Sequence, residues 1–265
     1  MSTWILLRGL VRETGHWGPF PGLLAGALPE ARVLPLELPG NGKANRLTSP
    51  LRIEEMAEHC RAELSRQGAA PPYHLLAMSM GGMVAAAWAA AHPEEVRACV
   101  LLNTSFGSFS SPHHRLRPAA WPKLAKVLLE PSDRGREELI FDLTSSLDRD
   151  AHPEVLEQWT ALRAAHPVPL GNALRQLVAS ARFRAPRQAP VPTLVLLGAG
   201  DRLVDPRCSR AIARRWSCPL AVHPWAGHDL TLDDPAWVAA EVRAWLMNDY
   251  DASSCTPSPS TLRPM

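Results

Sequence analysis

The sequence predicts an α/β fold: a mostly parallel central sheet flanked by helices, with a helical segment inserted into it. Three observations predict this. Short apolar runs alternate with longer stretches of helical character along most of the 265 residues, as strands and their covering helices do. The runs are apolar at nearly every position, which suits strands buried on both faces. Between about 106 and 185 the alternation stops, and helical patterns follow one another with no strand between them.

"WILLRG" (4–9) supplies the first strand and "ARVLPLEL" (31–38) the second. Pro50 opens a helix over 51–67, since a first helical turn does not need the N–H that proline lacks. "YHLLAMS" (73–79) runs straight into an Ala-rich helix over 80–92, which Pro93 ends. "RACVLLN" (97–103) is the fourth strand. Residues 106–185 then carry helical patterns near 121–130, 135–147, 153–165 and 170–182. That segment is too long for a loop and reads as an all-helical cap over one edge of the sheet. "TLVLLGAG" (193–200) and "LAVHPW" (220–225) return to strand, with helices over 206–216 and 235–247, the last opened by Pro235. The expected organisation is a core of 1–105 and 186–248, a cap of 106–185 and a tail of 249–265. The tail is Ser- and Pro-rich with almost nothing to bury, so disorder is expected there.

Composition narrows the function classes. A formal charge of +2 implies no strong attraction to nucleic acid or to a membrane surface. Five cysteines are odd in number and show neither C-x-x-C pairing nor zinc spacing, which suits a reducing compartment. "MSTWILLRGL" lacks the basic start of a secretion signal, and no apolar stretch reaches the roughly 18 residues needed to span a bilayer. A soluble, cytoplasmic protein with no nucleic-acid partner fits these limits. His113 and His114 are adjacent without a third ligand, so no metal is expected. "GAG" (198–200) lacks the third glycine of a dinucleotide fingerprint, and no cofactor is expected.

The chemistry centres on "LLAMSMGGM" (75–83), where a strand ends at Ser79 and a helix starts at Met80. A serine on such a strained strand-to-helix turn tolerates little bulk two residues before and after it. Gly81 meets that need, and Ala77 adds only a methyl group. A serine hydroxyl is a poor nucleophile until a base takes its proton. Asp201, in "LLGAGDRLVDP", follows the fifth strand, and His228, in "PWAGHDL", follows the sixth. Both stand at the carboxyl ends of strands, on the edge that carries Ser79, where open α/β sheets build their sites. Ser79 alone also reads as a helix N-cap serine; the agreement of three placements favours catalysis. Asp205 competes for the role of acid, but it precedes Pro206 and suits an N-cap. Asp229 adjoins His228 directly and is poorly placed to reach its Nδ1.

With these residues the sequence resembles the α/β-hydrolase superfamily over roughly 3–248. The likeness includes "LELPGNG" (36–42), similar to the family's P-G-x-G loop, the G-x-x-D turn at 198–201 and the Gly227-His228 pair. In subtype it is similar to small capped carboxylesterases such as the pimeloyl-carrier-protein methyl ester esterases. The resemblance implies Ser79 as nucleophile, Asp201 as acid and His228 as base, with the backbone N–H groups of Met80 and Leu10 as oxyanion donors. A serine in the nucleophile position disfavours the branches that use aspartate there. Two departures stand out: Ala77 replaces the first elbow glycine, and Arg8-Gly9 replaces the usual His-Gly. Arg8 has five donors and a fixed charge. It is expected to brace carbonyls of the oxyanion loop and raise the potential there, rather than point to solvent.

The expected function is cleavage of a carboxylic ester of a small or medium acyl group. Thioesterase and C–C-bond hydrolase readings share the same machinery, and a catalytically silent binding protein on this fold is the reading from a different class. Trp17, Met78, Phe106, Phe109, Trp121 and Trp159 are candidates to line the pocket, although core packing explains the aromatic ones equally well. Arg182, Arg184 and Arg187 read as a solvated face; docking of an acyl-carrier protein or a phosphate is the alternative.

Overall fold

The computed structural model describes residues 2–248; the tail expected at 249–265 lies outside the described residues. Strands β1 (Ser2–Leu7), β2 (Ala31–Leu36), β3 (Tyr73–Met78), β4 (Val96–Leu102), β5 (Thr193–Gly198) and β6 (Leu220–His223) form one sheet. Their order is β2-β1-β3-β4-β5-β6, and every neighbouring pair is parallel. β3 and β5 are buried at every residue, as interior strands covered on both faces must be. β2 lies on an edge, where Pro35 costs no ladder bond that the sheet needs.

The helices are α1 (Phe20–Ala27), α2 (Ile53–Arg66), α3 (Met80–Ala91), α4 (Pro112–Arg115), α5 (Trp121–Leu129), α6 (Asp133–Thr144), α7 (Pro153–Ala165), α8 (Leu170–Arg182), α9 (Arg207–Trp216), α10 (Leu230–Asp233) and α11 (Pro235–Asn248). Alternate residues of β3 serve the two faces. Leu75 and Ala77 join Met56 and Cys60 of α2, Val84 and Trp88 of α3, and Ile212 of α9. Leu76 and Met78 join Phe20 and Leu24 of α1 and Val238 and Val242 of α11. The stretch between β4 and β5 is helical, as its patterns predict, and forms α4 to α8; α6 and α7 share a small core of Phe141, Leu156 and Trp159.

Helix α1 has no counterpart in the sequence reading. Its sequence FPGLLAGA holds one proline and two glycines, residues of low helix propensity. Packing forms it instead: Phe20 and Leu24, one turn apart, are both fully buried against the sheet.

The strand order also fixes where a site can form. From β1 the chain first steps outward to β2, then returns to β3 on the other side of β1 and proceeds outward again. The carboxyl ends of β1 and β3 therefore flank the switch point, where the loops part and leave a crevice. Among the described residues no helix is long and apolar enough to cross a membrane.

Candidate active site

Ser79 follows β3 at that switch point, with φ 54° and ψ −120°. A non-glycine residue in this region is strained and persists only when its surroundings fix it. Here they do. Ser79 N donates to Leu102 O at 2.9 Å, and Ser79 O accepts from Gly82 N at 3.0 Å and from Thr104 Oγ1 at 2.6 Å. The turn leaves Ser79 half-buried at the end of a fully buried strand.

The elbow is also pressed against the end of β1. A Cβ on Gly81 would lie 2.4 Å from Leu7 O and 2.6 Å from Arg8 O, and one on Gly9 would lie 3.0 Å from Ser79 Cβ. Contacts this short explain why position 81 must be glycine. They also bring the Gly9–Leu10 backbone against the serine. Met80 heads α3, where a backbone N–H has no intrahelical acceptor. Two candidate oxyanion donors, Leu10 N and Met80 N, thus belong to segments that meet at Ser79.

His228 and Asp201 are in direct contact: His228 Nδ1 lies 2.7 Å from Asp201 Oδ2, and both residues are buried. Asp201 Oδ1 accepts from Leu203 N at 2.8 Å and Val204 N at 2.9 Å, which fixes the carboxylate plane. Asp205, the rival acid, instead accepts from Arg207 N at 2.9 Å at the start of α9.

One residue of this assembly has no part in the sequence reading. Asn103 caps β4 with φ 45° and is buried. Its Nδ2 donates to Gly227 O and His228 O, both at 2.9 Å, and its Oδ1 accepts from Gly198 N at 2.9 Å. Since Leu102 O holds Ser79 N, Asn103 ties the histidine loop to the strand that pins the serine. The signal was an asparagine ending an apolar run, a residue type that tolerates positive φ.

Arg8 is buried, but it braces a carboxylate rather than the oxyanion-loop carbonyls expected of it. Its Nη2 lies 2.5 Å from Asp229 Oδ2 and its Nη1 3.2 Å from Asp229 Oδ1, a two-pronged geometry that suits a guanidinium. Nη1 also donates to Thr231 Oγ1 at 3.4 Å, and the guanidinium sits 4.8 Å from the Trp17 ring centre. Burial alone would raise the Asp229 carboxyl pKa, but the charge and hydrogen bonds of Arg8 outweigh it and hold that pKa below the usual range. The pair neutralises itself, so Arg8 adds little net potential at the oxyanion; it anchors the residue next to His228.

Residues 5–241 match the model of the alpha/beta hydrolase family. The chain belongs to this family. It is 25% identical over 257 residues to 2-succinyl-6-hydroxy-2,4-cyclohexadiene-1-carboxylate synthase of Serratia proteamaculans, spanning 92% of this chain and 93% of that protein. It is 27% identical over 247 residues to pimeloyl-acyl-carrier-protein methyl ester esterase of Neisseria meningitidis, spanning 86% and 77%. The enol-lactonase of Burkholderia xenovorans has the same fold, with a TM-score of 0.74 at 20% identity over 93% of this chain and 91% of that one.

For this hydrolase-family chain the pocket residues proposed from sequence need correction. Phe106 is fully buried, in ring contact with Phe109, Phe183 and Trp216. Trp17, Met78 and Trp159 are each only 2% exposed, so they offer an acyl chain almost no surface. Trp121 lies on the outside at 56% exposure. Phe109 lines an open groove of about 730 Å³ with Ser108, Ala185, Arg187, Ala211, Arg214 and Arg215; this groove flanks α9 and contains none of Ser79, Asp201 and His228.

The Arg8 pair makes two predictions. Removing one partner of a buried pair strands the other charge, so Arg8→Ala is expected to destabilise the fold by about 3–5 kcal/mol in chemical denaturation, and Arg8→Met with Asp229→Leu by much less. The pH dependence follows from the depressed pKa of Asp229. The stabilisation is complete above the unfolded aspartate value of about 3.9 and is lost as pH falls through the lower folded value. Thermal melts should therefore show a shallower acid-side decline for the apolar double variant than for the wild type.

Proposed function

We propose that this protein is a serine hydrolase that cleaves a carboxylic ester of a small or medium acyl group through an acyl-enzyme. The observation that carries this reading is the 2.7 Å Asp201–His228 pair, on a loop that Asn103 ties to the strand pinning Ser79 in its strained turn. Ser79 Oγ attacks the ester carbonyl while His228 Nε2 takes its proton. Asp201, bound to Nδ1, fixes the tautomer and steadies the imidazolium. The amides of Leu10 and Met80 receive the charge that develops on the carbonyl oxygen. His228 then protonates the leaving alcohol, and the same imidazole activates the water that releases the acid. The helices of 106–185 act as a cap over this site.

Two substitutions test the assignment. Ser79→Ala should abolish labelling by a fluorophosphonate and lower kcat by about 10⁴–10⁶; a residual rate above a tenth of wild type would remove Ser79 from the role. If the wild type itself neither labels nor turns over, the chain is a silent binding protein on this fold. Asp201→Asn should cost on the order of 10⁴ in kcat by leaving His228 in the wrong tautomer. Asp205→Asn should lose only helix-end stability, at most about 2 kcal/mol.

A carrier-borne acyl substrate is a second reading, favoured by the groove beside α9. Residues 182–217 hold eight arginines and two aspartates, a local charge of +6 in a chain whose net charge is +2. No ion pair involves Arg187, Arg214 or Arg215 among the described residues. Such a surface suits the acidic face of a carrier protein. Reversing these three charges should lower kcat/KM on an acyl-carrier-protein ester by about tenfold or more at low salt and leave a free p-nitrophenyl ester unaffected. Equal losses on both would discard this reading.

A further inference from the structure

We infer that Gln176, on α8, is a positioning residue that sets the oxyanion loop. The inference rests on the reading of Leu10 as an oxyanion donor, and it begins at the next residue. Arg12 N donates to Gly9 O at 3.3 Å, so Leu10 and Val11 are the central residues of a tight turn. Val11 has φ 58°. At the second central position a positive φ ordinarily calls for glycine, and for a β-branched residue it is an outlier. Left alone, this turn would relax and carry the Leu10 amide with it.

Gln176 opposes that relaxation. Its side chain is fully buried, and its Oε1 accepts from Val11 N at 2.9 Å. Its Nε2 donates to Asn41 Oδ1 at 2.7 Å and to Ser49 Oγ at 3.1 Å. Asn41 in turn donates from Nδ2 to Arg12 O at 3.0 Å. The carboxamide therefore grips the turn at Val11 directly and at Arg12 through Asn41. Its orientation is unambiguous, because a backbone N–H can only donate and so requires the oxygen of Gln176 to face it.

The burial pattern of α8 shows how much is given over to this hold. Asn172 and Gln176, one turn apart, face inward, whereas Leu170, Leu174 and Leu177 are 59%, 53% and 45% exposed. Asn172 Oδ1 accepts from Ser49 N at 2.9 Å, so the two amides together dock the helix onto the 41–49 loop and the Gly9–Arg12 turn. Ala179, on the same inward face, is the one α8 residue that joins the apolar core, while the three leucines stay outside it.

The test uses the whole chain of 265 residues. Gln176→Met keeps the volume and loses the acceptor. It should lower kcat on a p-nitrophenyl ester on the order of ten- to a hundredfold, with KM little changed. Binding of a trifluoromethyl ketone, which places an oxyanion in the hole, should weaken by the same factor. Gln176→Glu keeps an acceptor toward Val11 but turns an oxygen toward Asn41 Oδ1 in place of a donor, so kcat should fall there too while exchange at the Val11 amide stays slower than in Gln176→Met. In a Val11→Gly background, where the turn is unstrained, the methionine substitution should cost several-fold less. Hydrogen exchange at the Val11 amide should quicken in Gln176→Met while exchange in the central strands is unchanged. Unaltered exchange at Val11, or an equal loss of kcat in both backgrounds, overturns the inference. If the wild type hydrolyses nothing, the proposed function is what fails, and exchange at Val11 still decides whether Gln176 holds the turn.

Discussion

The carboxyl edge of this sheet depends on one close approach, that of the first turn of α3 to the end of β1. A Cβ at Gly81 would stand 2.4 Å from the Leu7 carbonyl oxygen, so backbone meets backbone there with no side chain between them. That contact does two things together. It forces the chain through the left-handed conformation at Ser79, which lifts the serine clear of the sheet. It also brings the Gly9–Leu10 segment beside the serine, where an amide can face a substrate oxygen. The strain is sustained by neighbours that are themselves fixed: Leu102 in β4 and Thr104 just beyond it.

Around this contact the loops are joined by buried polar groups. Asn103 links the histidine loop to β5, and Asp233 accepts from Gly227 N and from Ser145 Oγ, so the end of α6 also clasps that loop. Arg8 anchors Asp229, and Glu137 of α6 bridges Arg12, which closes the Gly9–Arg12 turn, and Arg163 of α7. Apart from Arg12 and Arg163, these groups are buried. Removing one member leaves its partner unsatisfied in a low-dielectric setting, which costs more than the net gain from forming the bond. Loop positions at the site are thus fixed by directional bonds that fail steeply when one is lost.

This division explains what was legible in the sequence. Continuous apolar runs marked all six strands, and glycine and proline marked the turns, because burial on both faces and backbone sterics act through local composition. Ser79, Asp201 and His228 stood out as candidates because the fold class gathers its loops at strand ends, and they follow the ends of β3, β5 and β6 by one, three and five residues. The partners of Arg8 and Gln176 were not legible. Asp229 is 221 residues from Arg8, and Val11 is 165 from Gln176; no local pattern couples positions so far apart. The aromatic residues stayed open in the sequence for a related reason. Composition reports that Phe106 and Trp159 are apolar, but a pocket wall and a core use the same residue types, and only packing tells them apart.

Helix α8 takes that argument furthest. Its period alone designates Leu170, Leu174 and Leu177 as the face to bury, yet two amides bury in their place. Apolar packing is non-directional and tolerates sliding, whereas a carboxamide with both ends bonded admits one placement. A helix that must hold a particular backbone amide beside a reacting carbonyl benefits from the second kind of contact, since small displacements there carry large rate penalties. The inverted face of α8 thus accompanies its hold on Val11, and the local violation of the hydrophobic pattern coincides with the Gly9–Arg12 turn that it grips.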